Sequence, residues 1–163
     1  MVAARRRGQW QRSSVLAGLM AFCTVCGESG PGLGDAPEAG LSFRQIRLEG
    51  LRADAVAAGN PVWRSKEEFG RFWEAHSDAP RPEIDFRERS IVAVFLGERP
   101  NAGYSVEITR VEASDGGIAV HYRELLPNPE RDYAAVITYP YAAVEVSRVL
   151  GDATFSGSRR VEQ

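Results

Sequence analysis

The run Ile91-Val-Ala-Val-Phe-Leu-Gly-Glu-Arg-Pro-Asn-Ala-Gly-Tyr-Ser-Val-Glu-Ile108 joins two strands of different character across one long loop. Ile91 to Leu96 holds no polar residue, the pattern of a strand covered on both faces. Tyr104, Val106 and Ile108 alternate with Ser105, Glu107 and Thr109, the pattern of a strand with one wet face. Between them, Gly97 to Gly103 is longer than a tight hairpin needs. Long loops held by rigid strands tend to carry binding functions, so Arg99, Pro100, Asn101, Gly103 and the flanking Tyr104 are candidate contact residues.

Outward from this run, Ser65 is a good N-cap and Glu68 completes a capping box, so a helix starts there. Phe69, Phe72, Trp73 and His76 recur at helical spacing, which turns one aromatic face toward a sheet, and Pro80 and Pro82 end the helix. Upstream, Leu41–Leu51 alternates crudely as a first strand, residues 52–61 read as a loop or short helical turn, and Val62-Trp63-Arg64 as a short strand. Downstream, strands are expected over Ser90–Gly97, Tyr104–Ala113 and Ile118–Leu126, with Ser114-Asp-Gly-Gly117 as a hairpin turn. Ala134–Thr138, Ala142–Leu150 and Ala153–Phe155 close the set. One amphipathic helix packed on a mostly antiparallel sheet defines an α+β domain. A small β-sandwich and a partly open barrel are the alternatives.

The same residues resemble the C-terminal domain family of the protease complex subunit PrcB. The resemblance runs from Val62 to Phe155. It includes Ser65–Trp73, Ile84-Asp-Phe86, the motif Arg99-Pro-x-x-Gly-Tyr-Ser-Val106 and the stretch from Tyr139-Pro-Tyr141 to Val146. Ala102 stands where a second glycine is expected and Ser147 where proline is expected. The resemblance implies association with a secreted protease and does not imply catalysis.

The chain has 163 residues, 44% of them hydrophobic, and a formal net charge of −2, which suits one globular domain. A pI near 5.8 gives no reason to expect nucleic acid or an anionic membrane surface as partner. Arg5, Arg6, Arg7 and Arg12 precede the uncharged stretch Val15–Cys26, the pattern of an export signal over residues 1–26. Cys26 precedes Gly-Glu-Ser-Gly, which makes it the candidate lipidation site of an envelope lipoprotein; a soluble secreted protein stays open as the alternative. Either reading places the domain outside the cytoplasm, with a lipid anchor as its one link to a membrane. Residues 27–40 read as a flexible linker, 41–156 as the folded domain and 157–163 as a disordered tail.

The sequence offers little chemistry. Cys23 and Cys26 lack a second pair, and the two histidines, His76 and His121, fall short of a zinc ligand set. His76 continues the aromatic helix face, and His121 is expected to face water. Ser105 sits in a strand that does not turn into a helix, unlike a nucleophile elbow. Glu107, Glu124 and Arg123 lie in adjacent strands as candidate cross-strand pairs. No catalytic residue, metal or cofactor is expected. Two functional readings follow. In the first, a non-catalytic module holds a protein partner such as a protease, with Tyr139 and Tyr141 adding contact area. In the second, loop 97–103 inserts into a protease as an inhibitor.

Overall fold

A computed structural model describes residues 40–163. The expected export signal, Cys26 and nearly all of the expected linker lie outside the described residues. The order of elements is β1 (Phe43–Ile46), a 3₁₀ turn (Ala53–Ala55), β2 (Val62–Trp63), α1 (Lys66–His76), β3 (Arg89–Phe95), β4 (Ser105–Ser114), β5 (Gly117–Leu126), β6 (Tyr141–Ser147) and β7 (Asp152–Val161). Two sheets result, with strand orders β1-β6-β3-β2 and β4-β5-β7. All pairings are antiparallel except β5 with β7.

The period of two along each strand builds three layers. From β3, Val92 and Val94 face the second sheet with Val144 and Val146 of β6. They meet Ile108 and Val111 of β4 and Ile118 and Val120 of β5 in one core. The alternate residues Ile91, Ala93 and Phe95 face the other way, with Ala143, onto Phe69 and Trp73 of α1. The unbroken apolar run in β3 is thus the strand buried between a sheet and a helix. The fold is α+β with stacked sheets and no closed barrel.

The helix starts where capping chemistry places it. Ser65 Oγ accepts from the Glu68 amide at 3.1 Å, and Glu68 Oε2 accepts from the Arg64 amide at 2.9 Å. The helix ends at His76, earlier than the prolines require, with Ser77 at its C-cap. Ser77 Oγ donates to Gly50 O, and Trp73 Nε1 donates to Ala79 O, so the exit chain folds back against the helix. Phe69 is fully buried, whereas Phe72 is half-buried, stacked on His76 and tilted against Trp63.

Four expectations need correction. The first strand is short because Leu41 pairs with Val111 of β4 and the chain then crosses to the other sheet at Phe43. Ala134–Thr138 is no strand: Thr138 bridges Arg99, but residues 134–137 lie exposed with no sheet partner among the described residues. β6 ends at Ser147, short of Leu150. Finally, residues 157–161 are not a disordered tail, since β7 continues to Val161 along the whole of β5. Its outer half is polar because it is exposed, and backbone pairing needs no apolar side chain. Gly157 lets the Tyr122 ring lie on the strand; a Cβ there would come within 2.5 Å of Tyr122 Cζ.

Candidate functional site

Most of the residues singled out by sequence converge at one end of the sandwich, where the β3–β4 and β5–β6 connections meet. Gly97, with φ +73°, turns the chain out of β3 beside Ala58. The loop then pairs with the second connection. Arg99 and Thr138 exchange both backbone hydrogen bonds, at 2.8 and 3.0 Å, and Thr138 Oγ1 donates to Asn101 O at 2.9 Å. Ala102 N donates to Ala134 O at 3.2 Å. Asn101 Oδ1 accepts from Gly103 N at 2.9 Å, a turn that asparagine forms with its own backbone.

Gly103 is required here for space. Its φ is not left-handed, but a Cβ on it would approach Pro127 Cβ to 2.6 Å and Tyr133 Cδ1 to 2.8 Å. The Tyr133 hydroxyl in turn donates to Glu162 Oε2 at 2.7 Å and accepts from Asn128 N at 3.1 Å. The two loops and the residues after β7 therefore pack as one unit.

Beneath them lies a charge cluster. Glu124, in phase with Val120 and Tyr122, points inward from β5 and is 6% exposed. Arg99 Nε and Nη2 donate to its Oε1 at 3.0 and 2.8 Å, and Arg159 Nε donates to its Oε2 at 2.9 Å. Arg99 Nη1 donates to the carbonyls of Leu96 and Glu98, and its guanidinium lies 5.8 Å from the Tyr104 ring centroid. Only arginine offers a fork broad enough to serve a carboxylate and two carbonyls at once.

The sequence candidates thus fall into distinct places. Arg99, Asn101 and Gly103 are committed within the fold, and Tyr104 underlies Arg99. Pro100 is exposed at the loop surface. Tyr139 is half-buried, its hydroxyl 3.5 Å from Glu98 Oε2. Partial burial raises its phenol above the ordinary value of 10.0, helped by the carboxylates of Glu98 and Asp54, because each disfavours phenolate. Tyr141 is elsewhere: it stacks on Phe95 at 5.5 Å on the helix side of its sheet, and its hydroxyl reaches the backbone of Leu48. Sequence reasoning missed Glu124 as a buried acceptor, although its phase with Val120 signals it. It also missed Arg159, placed in the expected tail, and the exposed pair Val136 and Ile137, at 52% and 60% exposure beside the loop.

Elsewhere the charges make cross-strand pairs. Arg123 Nη1 donates to Glu107 Oε1 at 2.8 Å, as the register requires. His121 is half-buried with Nε2 3.3 Å from Glu112 Oε2, rather than facing water alone. Among the described residues no group of three His, Cys, Asp or Glu converges.

This end of the molecule defines a helix-backed β-sandwich whose paired loops are locked from below by one buried carboxylate. Residues 90–147, from β3 to the end of β6, match the family described as PrcB C-terminal. A stretch of 60 residues is 33% identical to an uncharacterized protein of Methanocaldococcus jannaschii, covering 36% of this chain and 35% of the relative. The chain thus spans about a third of the length of that relative. No solved structure matches the chain.

Proposed function

We propose that the protein is a non-catalytic accessory module, exported from the cytoplasm, which binds a protein partner in a protease assembly. The match of residues 90–147 to the PrcB C-terminal family carries this reading, and the loop end supplies a surface for it. Val136 and Ile137 stand exposed on a segment fixed by Arg99, Ala102 and Thr138, next to Pro100 and Tyr139. Exposed apolar side chains on a pinned backbone lose little entropy on binding, which favours a contact surface. The basic opening and the uncharged stretch to Cys26 support export, with Cys26 as anchor.

The test is capture of partners by the tagged full chain from its native host, run beside a Val136→Ser/Ile137→Ser variant. Recovery of a protease with the native chain, and its loss with the variant, is expected. Recovery of no protease, or equal recovery by both, overturns the reading. Inhibition of the captured protease by the chain would instead establish the inhibitor reading of loop 97–103.

A further inference from the structure

We propose that the cleft between the bare edge of β4 and the start of β6 takes an extended peptide segment of the partner as an added strand. The segment runs antiparallel to β4, with apolar side chains at alternate positions and a carboxylate near its C-terminal end. This rests on the proposed function and deepens it by assigning how a partner engages the fold.

The observation is an edge paired only toward its far end. Leu41 N donates to Val111 O at 2.7 Å and Gly40 bridges Glu112, so the chain itself pairs antiparallel with β4 at these two residues. It then crosses to the other sheet, where Phe43–Ile46 pair with β6. Among the described residues nothing pairs with that same edge from Ser105 to Thr109. A register shift between Ile108 and Arg110 separates this paired end from the bare stretch. An unpaired strand edge presents backbone donors and acceptors in a row, and a further strand is its natural complement. The pairing of Leu41 shows that this edge accepts one, and in which direction.

The space beside the edge suits side chains. The cleft measures about 700 Å³, and the half-buried Val106, Leu125 and Ala142 line it beside Gln45, Ser105 and Tyr141. Its rim carries one charge of each sign, Arg47 and Glu107. Glu107 is already paired with Arg123, whereas Arg47 is exposed and has no ion pair among the described residues. β1 leads away from the Leu41–Val111 pair, so Arg47, just past Ile46, lies toward the Ser105 end. A strand antiparallel to β4 ends there, which places a carboxylate near its C-terminus opposite Arg47.

The probe is the peptide acetyl-Val-Thr-Val-Thr-Val-Glu-amide, carrying a fluorophore on its N-terminal side and titrated into the full chain by anisotropy. Amide hydrogen exchange is read on the same complex. Saturable binding is expected, with slowed exchange at Ser105–Thr109 and none at residues 134–137. Arg47→Glu, at an exposed position that leaves the fold intact, should weaken this peptide about fivefold, the size of an exposed ion pair. A peptide ending in lysine should regain the loss on that variant. Absence of binding, protection elsewhere, or equal affinity of both peptides for both proteins overturns the proposal. The peptide assay needs no native partner. If it fails while the host capture recovers a protease, the cleft is refuted and the accessory function stands; the opposite pair of results refutes the function and keeps the cleft.

Discussion

Replacing Arg99 by alanine tests the claim that its pairing with the buried Glu124 locks the two loops together. The change removes both donors to Glu124 Oε1 and the donor shared by the carbonyls of Leu96 and Glu98. Glu124 keeps Arg159, but that side chain is 73% exposed and reaches only Oε2. Losing one partner of a buried ion pair costs about 3–5 kcal/mol. Water entering beside the truncated side chain and the surviving Arg159 bond place the expected loss near the lower end, about 3 kcal/mol. Arg159→Ala removes one bond from a solvated donor and should cost about 1 kcal/mol or less. Arg99→Lys keeps the charge without the fork and should fall between wild type and alanine. Urea unfolding followed by tryptophan fluorescence reads all of these. The paired change Arg99→Leu/Glu124→Leu should recover much of the loss, because it leaves no buried charge unpaired. An Arg99→Ala midpoint matching that of Arg159→Ala, or a double variant weaker than the single one, would refute the reasoning.

Further outcomes follow from the same geometry. Gly103→Ala should cost about 1–3 kcal/mol by crowding Pro127 and Tyr133, and Tyr133→Ala in the same chain should relieve part of it; strictly additive melting shifts would count against the contact. Phe69→Ala should cost about 3–5 kcal/mol and Glu74→Ala less than about 0.5 kcal/mol, read by chemical denaturation. Ultraviolet titration should show one phenol ionising above the ordinary tyrosine range; the step should vanish in Tyr139→Phe and move down in Glu98→Gln. The sign follows from the raised value: the folded state holds this proton longer than the unfolded state, so its contribution to stability declines as alkaline pH passes through the phenol's range. Intact mass of the protein from its host should show loss of the first twenty-odd residues, about the length of an export signal. If Cys26 carries lipid, Cys26→Ser should shift the chain from membrane to soluble fractions.

Periodic segments were legible. The apolar run of β3, the alternation of β4, the hairpin at Asp115-Gly116 and the Ser65–Glu68 cap all declare themselves through local chemistry. What stayed hidden depends on partners distant in sequence. Ala134–Thr138 has the composition of a strand, yet the pairing of Arg99 with Thr138 leaves it beside a loop instead of a sheet. Residues 157–161 have the composition of a tail, yet β5 offers them a full row of backbone partners. Arg99 looks like a free contact residue until Glu124 is placed under it. Both residues were visible in the sequence, and only the fold brings them together across 25 positions.

The parallel partnership of β5 and β7 bears on the order in which the chain assembles. The β4–β5 hairpin closes locally, whereas β7 reaches β5 only across residues 127–151, which include β6 of the opposite sheet. Pairings between distant segments form slowly because loop closure precedes any gain. Until β7 pairs with β5, Glu124 lacks the donor that Arg159 supplies. A chain cut after Gly151 would carry the whole helix and six strands yet lack the guanidinium and the backbone rail that complete the second sheet. Such a fragment should stay open to proteolysis at the hairpin, which makes the arrival of β7 the closing step of folding.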